Sequence, residues 1–233
     1  MKIGKKRQTT VGNHNSQTEQ TFAKLYLLPN GSGFSPACGE AGSLFKGGVV
    51  EDRGGKISRR NLFFLRTFKH MNEFPLIEKY YRIAVADIQE EWFKSSGEEW
   101  YEYIIALPEL PKLTYLLMVL NQQVLNGGFH QYFSNTYGRF ALETMVALQT
   151  IGAHENAGLL QKAYTLVNAE NMPPAVFRQH LHAFNIPRLY KTDELHAPLD
   201  VLDDVYYNNN EEVAEMLEKY LQDKQSCPTP YEK

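Results

Sequence analysis

The sequence has few cysteines and no long apolar segment, and each shortage narrows the class of protein. Only two of its 233 residues are cysteines, Cys38 and Cys227, which is too few for a disulfide framework or a thiolate metal cluster. No run of about 18 apolar residues occurs, and the basic start is not followed by the apolar core of a signal peptide. We therefore expect a soluble, cytoplasmic protein with no membrane-spanning segment.

The sequence also lacks the motifs of common catalytic and metal sites. It contains no phosphate-binding glycine loop, no GxSxG elbow, no HExxH pair and no calcium-binding loop. His180 and His182 are two residues apart and would splay on a helix. Cys227 lies in the tail CPTPYEK and forms no recognisable Cys/His nucleophile pair. The sequence therefore predicts that the protein is not an enzyme and uses no metal and no cofactor.

Charge is present in abundance but is unevenly distributed, which the net charge of −3 conceals. Residues 1–70 contain 12 Lys+Arg and 4 Asp+Glu, a net charge of +8, whereas residues 71–233 contain 12 Lys+Arg and 23 Asp+Glu, a net charge of −11. This asymmetry divides the chain into a basic leader, residues 1–70, and an acidic body, residues 71–233.

The leader is rich in glycine, and its apolar residues keep neither a helical nor a strand period. We predict that it is disordered, or that the natural start is Met71, because helical periodicity begins directly after that residue. A nucleic-acid-binding arm is an alternative role for it, since mobile cationic segments neutralise phosphates. The cationic residues concerned are Lys2, Lys5, Lys6, Arg7, Arg53, Lys56, Arg59 and Arg60.

The body has the periodicity of amphipathic helices from Ile77 onward, with apolar residues three and four positions apart. A first helix is predicted to keep this pattern from Ile77 to Trp92, and Ser96 and Glu99 have the spacing of a capping box for the next. Proline and glycine punctuate the later segments, and no stretch alternates as a strand would. The sequence predicts an all-α fold, a single compact multi-helix domain.

The most distinctive segment is NQQVLNGGFHQYFSNTYG at residues 121–138, in which a helix, a glycine stop, an aromatic turn and another glycine follow one another. We interpret it as a structural motif, with glycines for backbone geometry, aromatic rings for the core and amides that bond backbone groups at helix ends. Its members are Asn126, Gly127, Gly128, Phe129, Gln131, Tyr132, Phe133, Asn135 and Gly138.

This segment, followed by the Ile151-Gly152-Ala153 turn, AGLLQKA at residues 157–163 and LDVLDDVYY at residues 199–207, resembles the DNA-mimic protein C-terminal-domain family over about residues 110–222. The resemblance implies a small bacterial helical domain of largely unassigned function. The family name reflects a member that binds a DNA-binding regulator in place of DNA through an acidic surface. The resemblance therefore implies a partner that is a basic protein, such as a transcription regulator, and no direct binding of nucleic acid by the folded domain.

Three groups of acidic residues are predicted to form exposed, partner-binding helix faces. Carboxylates near helix starts, together with solubility, offer an alternative explanation for each single group. The groups are Glu211, Glu212, Glu215 and Glu218 in the last helix, Asp200, Asp203 and Asp204 in the helix before it, and Glu90, Glu91, Glu98, Glu99 and Glu102 near the start of the body.

Two other functions remain open at the level of sequence. The protein could be an immunity-type or housekeeping inhibitor of an enzyme or toxin, recognised by shape as much as by charge. An enzyme with a pocket beside Phe129, Gln131 and Tyr132 is the third alternative, although the polar groups there are amides without an acid, base or nucleophile in register.

Overall fold

A computed structural model describes residues 74–226, and every regular element in this range is helical. The prediction of an all-α fold is confirmed. The predictions made for the basic leader and for a start at Met71 lie outside the described residues.

The helices follow one another with short connections, and two 3-10 turns interrupt the series at Glu90–Phe93 and Tyr137–Phe140. We number the α-helices in chain order: α1 (Pro75–Val85), α2 (Glu98–Ala106), α3 (Glu109–Ser134), α4 (Ala141–Thr150), α5 (His154–Val167), α6 (Pro174–His182), α7 (Pro187–Tyr190), α8 (His196–Asn208) and α9 (Val213–Ser226).

Helix α3 is the centre of the fold, because all of residues 113–120 are buried and it packs against α1, α4, α8 and α9. Its nearly uncharged sequence explains this position, since a helix that is apolar on all sides must be covered on all sides. Most of the other helices bury one face and expose the other.

The first helix is shorter than its sequence pattern predicts. Helix α1 ends at Val85, and Trp92 lies in the 3-10 turn Glu90–Phe93, with its ring 5.3 Å from that of Tyr103 in α2. The continued helical spacing to Trp92 was therefore misleading: the tryptophan packs on the next helix rather than extending the buried stripe of α1.

The capping box predicted at the start of α2 is also formed differently. Gly97 precedes the helix in a left-handed conformation with φ of 69°, and the Ser95 hydroxyl, not that of Ser96, donates to Glu99 at 2.9 Å. Ser96 Oγ instead accepts a bond of 3.3 Å from the Glu98 amide. Ser95 and Ser96 thus divide the side-chain contacts that the sequence predicts for Ser96 alone.

Two consecutive glycines bend α3 without ending it. Gly127 and Gly128 have non-helical backbone angles, with φ of 74° at Gly128, and they divide the helix into residues 109–126 and 129–134. A positive φ is strained for residues with a Cβ, so the second glycine is required by the kink. The predicted glycine stop is therefore a kink, and the aromatic segment after it is helical rather than a turn.

Candidate functional site

Asp203 of α8 holds the kink of α3 in place. Its Oδ1 accepts a hydrogen bond of 2.8 Å from the amide of Phe129, and its side chain is buried. The kink begins a new helical segment whose first amides have no partner within the helix, so this carboxylate acts as a cap. Burial raises the pKa of Asp203 to about 6, while the hydrogen bond from Phe129 opposes the shift.

Glu218 of α9 has a comparable role at the start of α1. Its two carboxylate oxygens accept hydrogen bonds from the amides of Leu76, at 3.2 Å, and Ile77, at 3.0 Å. Only 4% of Glu218 is exposed. The prediction that Glu218 lies on an exposed acidic face is wrong, because the N-terminus of α1, with its unpaired amides and positive dipole end, packs on this side of α9.

Glu211 caps a third helix from another element. It precedes α9 and accepts hydrogen bonds from the amides of Glu155, at 2.9 Å, and Asn156, at 2.7 Å, at the start of α5. The side-chain amide of Asn156 also donates to the backbone oxygen of Glu211, at 3.0 Å. Three carboxylates predicted to face a partner thus stabilise helix starts inside the fold. For Asp203, as for Glu218, burial contradicts the predicted exposure.

The remaining acidic residues of α8 and α9 are exposed. Asp200 and Asp204 lie one turn apart on the outer face of α8, and Glu212 and Glu215 are exposed at the start of α9. A shallow depression of about 310 Å³ lies beside Asp204, between α5 and α8. Its lining residues are Glu155, Asp204, Val205, Asn208 and Asn209. Glu155 was not predicted, although a carboxylate in the first turn after the Ile151-Gly152-Ala153 turn could have indicated it.

The third acidic group lies on other elements, namely the 3-10 turn Glu90–Phe93 and α2. Four of its members, Glu90, Glu91, Glu99 and Glu102, are exposed. The fifth, Glu98, pairs with Arg178 of α6 at 3.0 Å, so part of its charge is neutralised locally.

The amides of the structural motif bond to one another and not to backbone groups as predicted. Asn126 donates to Gln131 at 2.9 Å, and both Gln131 and Asn135 donate to Gln123 Oε1, at 3.0 and 2.9 Å. Because the chain continues as helix after the kink, the side chains of Gln123, Asn126, Gln131 and Asn135 come to one side. The aromatic prediction is confirmed, because Phe129, Tyr132 and Phe133 are buried.

The last glycine of the motif, Gly138, permits a close approach. A Cβ at this position would stand 2.2 Å from the ring of Phe133. Gly138 has no positive φ, so the predicted role in backbone geometry is wrong for this glycine, and the close approach of a buried ring explains it instead.

A buried arginine that sequence reasoning missed joins three elements. Arg139 is 4% exposed, lies 5.0 Å over the ring of Trp100 and donates to the backbone oxygen of Gly97. Its Nη2 is 3.0 Å from Nδ1 of His182, whose Nε2 bonds to the backbone oxygen of Ser95. Burial lowers the pKa of Arg139 to about 10. The only sequence signal is a single cation within the aromatic run YGRF.

Two further findings concern membrane-spanning helices and metal ligands. Within residues 74–226, no helix combines the length and apolar character needed to cross a bilayer. The same range brings together no set of three His, Cys, Asp or Glu side chains that could ligate a metal ion.

The described residues form an acidic helical domain around the kinked helix α3. Carboxylates of its last two helices, Asp203 of α8 and Glu218 of α9, cap the starts of other helical segments. A family model described as DMP19-like protein matches residues 105–224, slightly more than half of the chain. The protein belongs to the DMP19-like family, which confirms the DNA-mimic family resemblance over nearly the same residues. Comparison with curated proteins gave no match, and comparison with solved structures gave none either.

Proposed function

We propose that this protein binds a basic protein, a DNA-binding regulator, in place of DNA, and that it has no catalytic activity. The observation that carries the proposal is the exposed acidic group around the outer face of α8, where Asp200, Asp204 and Glu155 accompany the depression between α5 and α8. Family membership supports the proposal, because the DMP19-like family is named after a DNA mimic.

The spacing of these carboxylates is compatible with a row of phosphates. Asp200 and Asp204 are four residues apart on one helix and therefore differ by about 6 Å along its axis. Two phosphate steps along a DNA strand cover about 7 Å. A surface that binds phosphate rows through Lys and Arg would therefore meet carboxylates at a similar interval.

The test is competition with DNA. The full chain is used to capture proteins from a lysate of the host, and each captured DNA-binding protein is then bound to its labelled DNA. We expect the chain to release the labelled DNA, with an apparent affinity that falls steeply as salt rises, because exposed charges are screened within about 8 Å at physiological ionic strength.

Two neutralised variants make the test specific to charge. One variant combines Asp200→Asn, Asp204→Asn and Glu155→Gln, and the other combines Glu90→Gln, Glu91→Gln and Glu102→Gln, all at exposed positions. The first variant should lose competition with DNA, because it neutralises the acidic group around α8, and the second tests whether the other group also contributes. Competition that survives in the first variant, or captured proteins that bind no DNA, would count against the proposal.

An inhibitor of an enzyme or toxin is the second candidate, and exposed apolar residues favour it. Val201 and Val205 lie beside the acidic residues of α8, and nothing in a DNA backbone corresponds to them. Capture of an enzyme whose activity the chain inhibits, without competition by DNA, would favour this function. An enzyme with a pocket beside Phe129 and Tyr132 has no comparable support, because these side chains are 0% and 1% exposed.

A further inference from the structure

The outer face of α8 combines acidic and apolar side chains in a regular pattern. Asp200, Val201, Asp204, Val205 and Asn208 are all exposed, at offsets of 0, 1, 4, 5 and 8 residues. Val201 is 64% exposed and Val205 is 39% exposed. Imitation of phosphates alone would need only the carboxylates, so the two valines require a separate explanation.

This face is presented on a rigid support. The opposite face of α8 buries Leu199 and Leu202, and Asp203 bonds to the kink of α3. Further along, Tyr206 donates to Asn121 at 3.0 Å, and Tyr207 donates to the backbone oxygen of Val124 at 2.7 Å. A surface that is already ordered loses little conformational entropy when it binds a partner.

We propose that the outer face of α8 docks a basic amphipathic helix of the protein partner. In this arrangement, which rests on the proposed function, apolar residues of the partner helix contact Val201 and Val205. Its Lys and Arg side chains pair with Asp200, Asp204 and Glu155. The depression beside Val205 receives a side chain at one end of the contact.

Charge and spacing together select this occupant. The carboxylates of Asp200 and Asp204 lie along one side of the two valines, where they oppose nucleic acid and anionic lipid and attract a cationic segment. Val201 and Val205 are one helical turn apart, so they form a ridge that fits between residues spaced four apart on a second helix. Protein interfaces also usually combine apolar contacts with polar ones beside them.

The docking of a helix predicts a different salt dependence from that of phosphate imitation. Contacts between carboxylates and Lys or Arg weaken as salt increases, whereas contacts of the valines with apolar residues do not. Binding should therefore keep an apolar component at high salt that depends on Val201 and Val205.

The experiment uses the full chain and two synthetic helical peptides of about 16 residues. One peptide carries Leu four residues apart between Lys and Arg, and the other has Gln in place of each Leu, with the same charge. The affinity of both is measured at low and high salt for the wild type and for three variants: Val201→Ser with Val205→Ser, Asp200→Asn with Asp204→Asn, and the matched control Val146→Ser, which changes a valine 62% exposed on α4. Melting temperatures confirm that each variant is folded.

The expected result is specific to the peptide and to the surface. The double valine variant should bind the Leu peptide about tenfold more weakly and the Gln peptide unchanged. The double aspartate variant should weaken both peptides at low salt, and Val146→Ser should weaken neither.

Three results would overturn the helix-docking proposal: no binding of the Leu peptide, equal binding by the wild type and the double valine variant, or an equal loss in Val146→Ser. If DNA competition persists in such a case, the proposed function stands and only the docking mode fails. If docking occurs as expected but no captured protein binds DNA, the helix-docking surface stands and the DNA-binding identity of the partner fails.

Discussion

The carboxylate of Asp203 lies 2.8 Å from the amide of Phe129, the first helical residue after the kink of α3. This bond connects the buried centre of the fold with the helix whose outer face carries the candidate surface. Burial of the same carboxylate raises its pKa to about 6. The stability of the domain should therefore depend on Asp203 in a way that changes with pH.

We expect Asp203→Asn to remove one component of this pH dependence. Because the folded-state pKa is higher than the usual value of 3.8, the folded state binds the proton more tightly, and the contribution of Asp203 to stability falls as pH rises from about 4 to 6. Relative to wild type, the Asn variant should gain on the order of 1–2 kcal/mol over this range after allowance for solvent screening. Denaturant unfolding at several pH values measures this gain.

Asp203→Ala should destabilise the domain at every pH, since Ala provides no acceptor for Phe129. The control is Asp204→Asn, which changes an exposed neighbour on α8. A pH profile of Asp203→Asn that parallels the wild type would show that Asp203 does not titrate as described.

A methyl group at Gly128 should disrupt the kink. Gly128 has φ of 74°, and a Cβ there would stand 1.9 Å from Oδ2 of Asp203. We expect Gly128→Ala to lower the free energy of unfolding by at least about 2 kcal/mol. Gly158→Ala is the matched control, because nothing lies within 4 Å of a Cβ at that helical position. It should stabilise by about 0.5–1 kcal/mol. Equal effects of the two changes would contradict this account.

Glu218 should contribute to stability, whereas its neighbour Glu215 should not. Glu218→Ala leaves the amides of Leu76 and Ile77 without their acceptor and should cost about 2 kcal/mol. Glu215 is exposed on the same helix, so Glu215→Ala should stay within about 0.5 kcal/mol of wild type. Glu218→Gln, which keeps one acceptor, should fall between them. Thermal unfolding distinguishes these outcomes, and similar losses at the two positions would refute the capping role.

His182 should make the domain less stable in mild acid. Burial lowers its pKa, the charge of Arg139 lowers it further, and the bond to Ser95 and the charge of Glu99 partly oppose the shift. The unfolded chain then binds a proton that the folded chain resists, so stability is lost as pH falls below the usual value of 6.5. Unfolding curves between pH 7.5 and 5 should be less pH-dependent in His182→Gln than in wild type. His154→Gln, at an exposed position, serves as the control, and an equal reduction there would remove the assignment to His182.

The spacing of apolar residues predicted the helices well, because a helix that buries one face needs apolar residues three and four positions apart. The buried stripe of α9, which includes Val213, Leu217 and Leu221, is an example. The order of residues in the sequence does not reveal which distant part of the chain a polar side chain contacts in the fold. Glu218 fits the spacing of an exposed acidic row, and only the position of α1 against α9 places it inside.

The same limit applies to the candidate site. Asp200 and Asp204 were predicted and are exposed together, whereas Glu155 joins them only because α5 begins next to the end of α8. At the kink, two glycines indicated a break in the helix, but the choice between a stop and a bend depends on Asp203, which is 74 residues from the Phe129 amide that it caps.

The cap on α1 has a consequence for biosynthesis. Glu218 bonds to amides that precede it by 142 and 141 residues. At a translation rate of about 5–20 residues per second, Leu76 and Ile77 are synthesised about 7–30 s before their acceptor. During that interval the start of α1 lacks its acceptor on Glu218. The domain should therefore gain its full resistance to proteases only after α9 has left the ribosome.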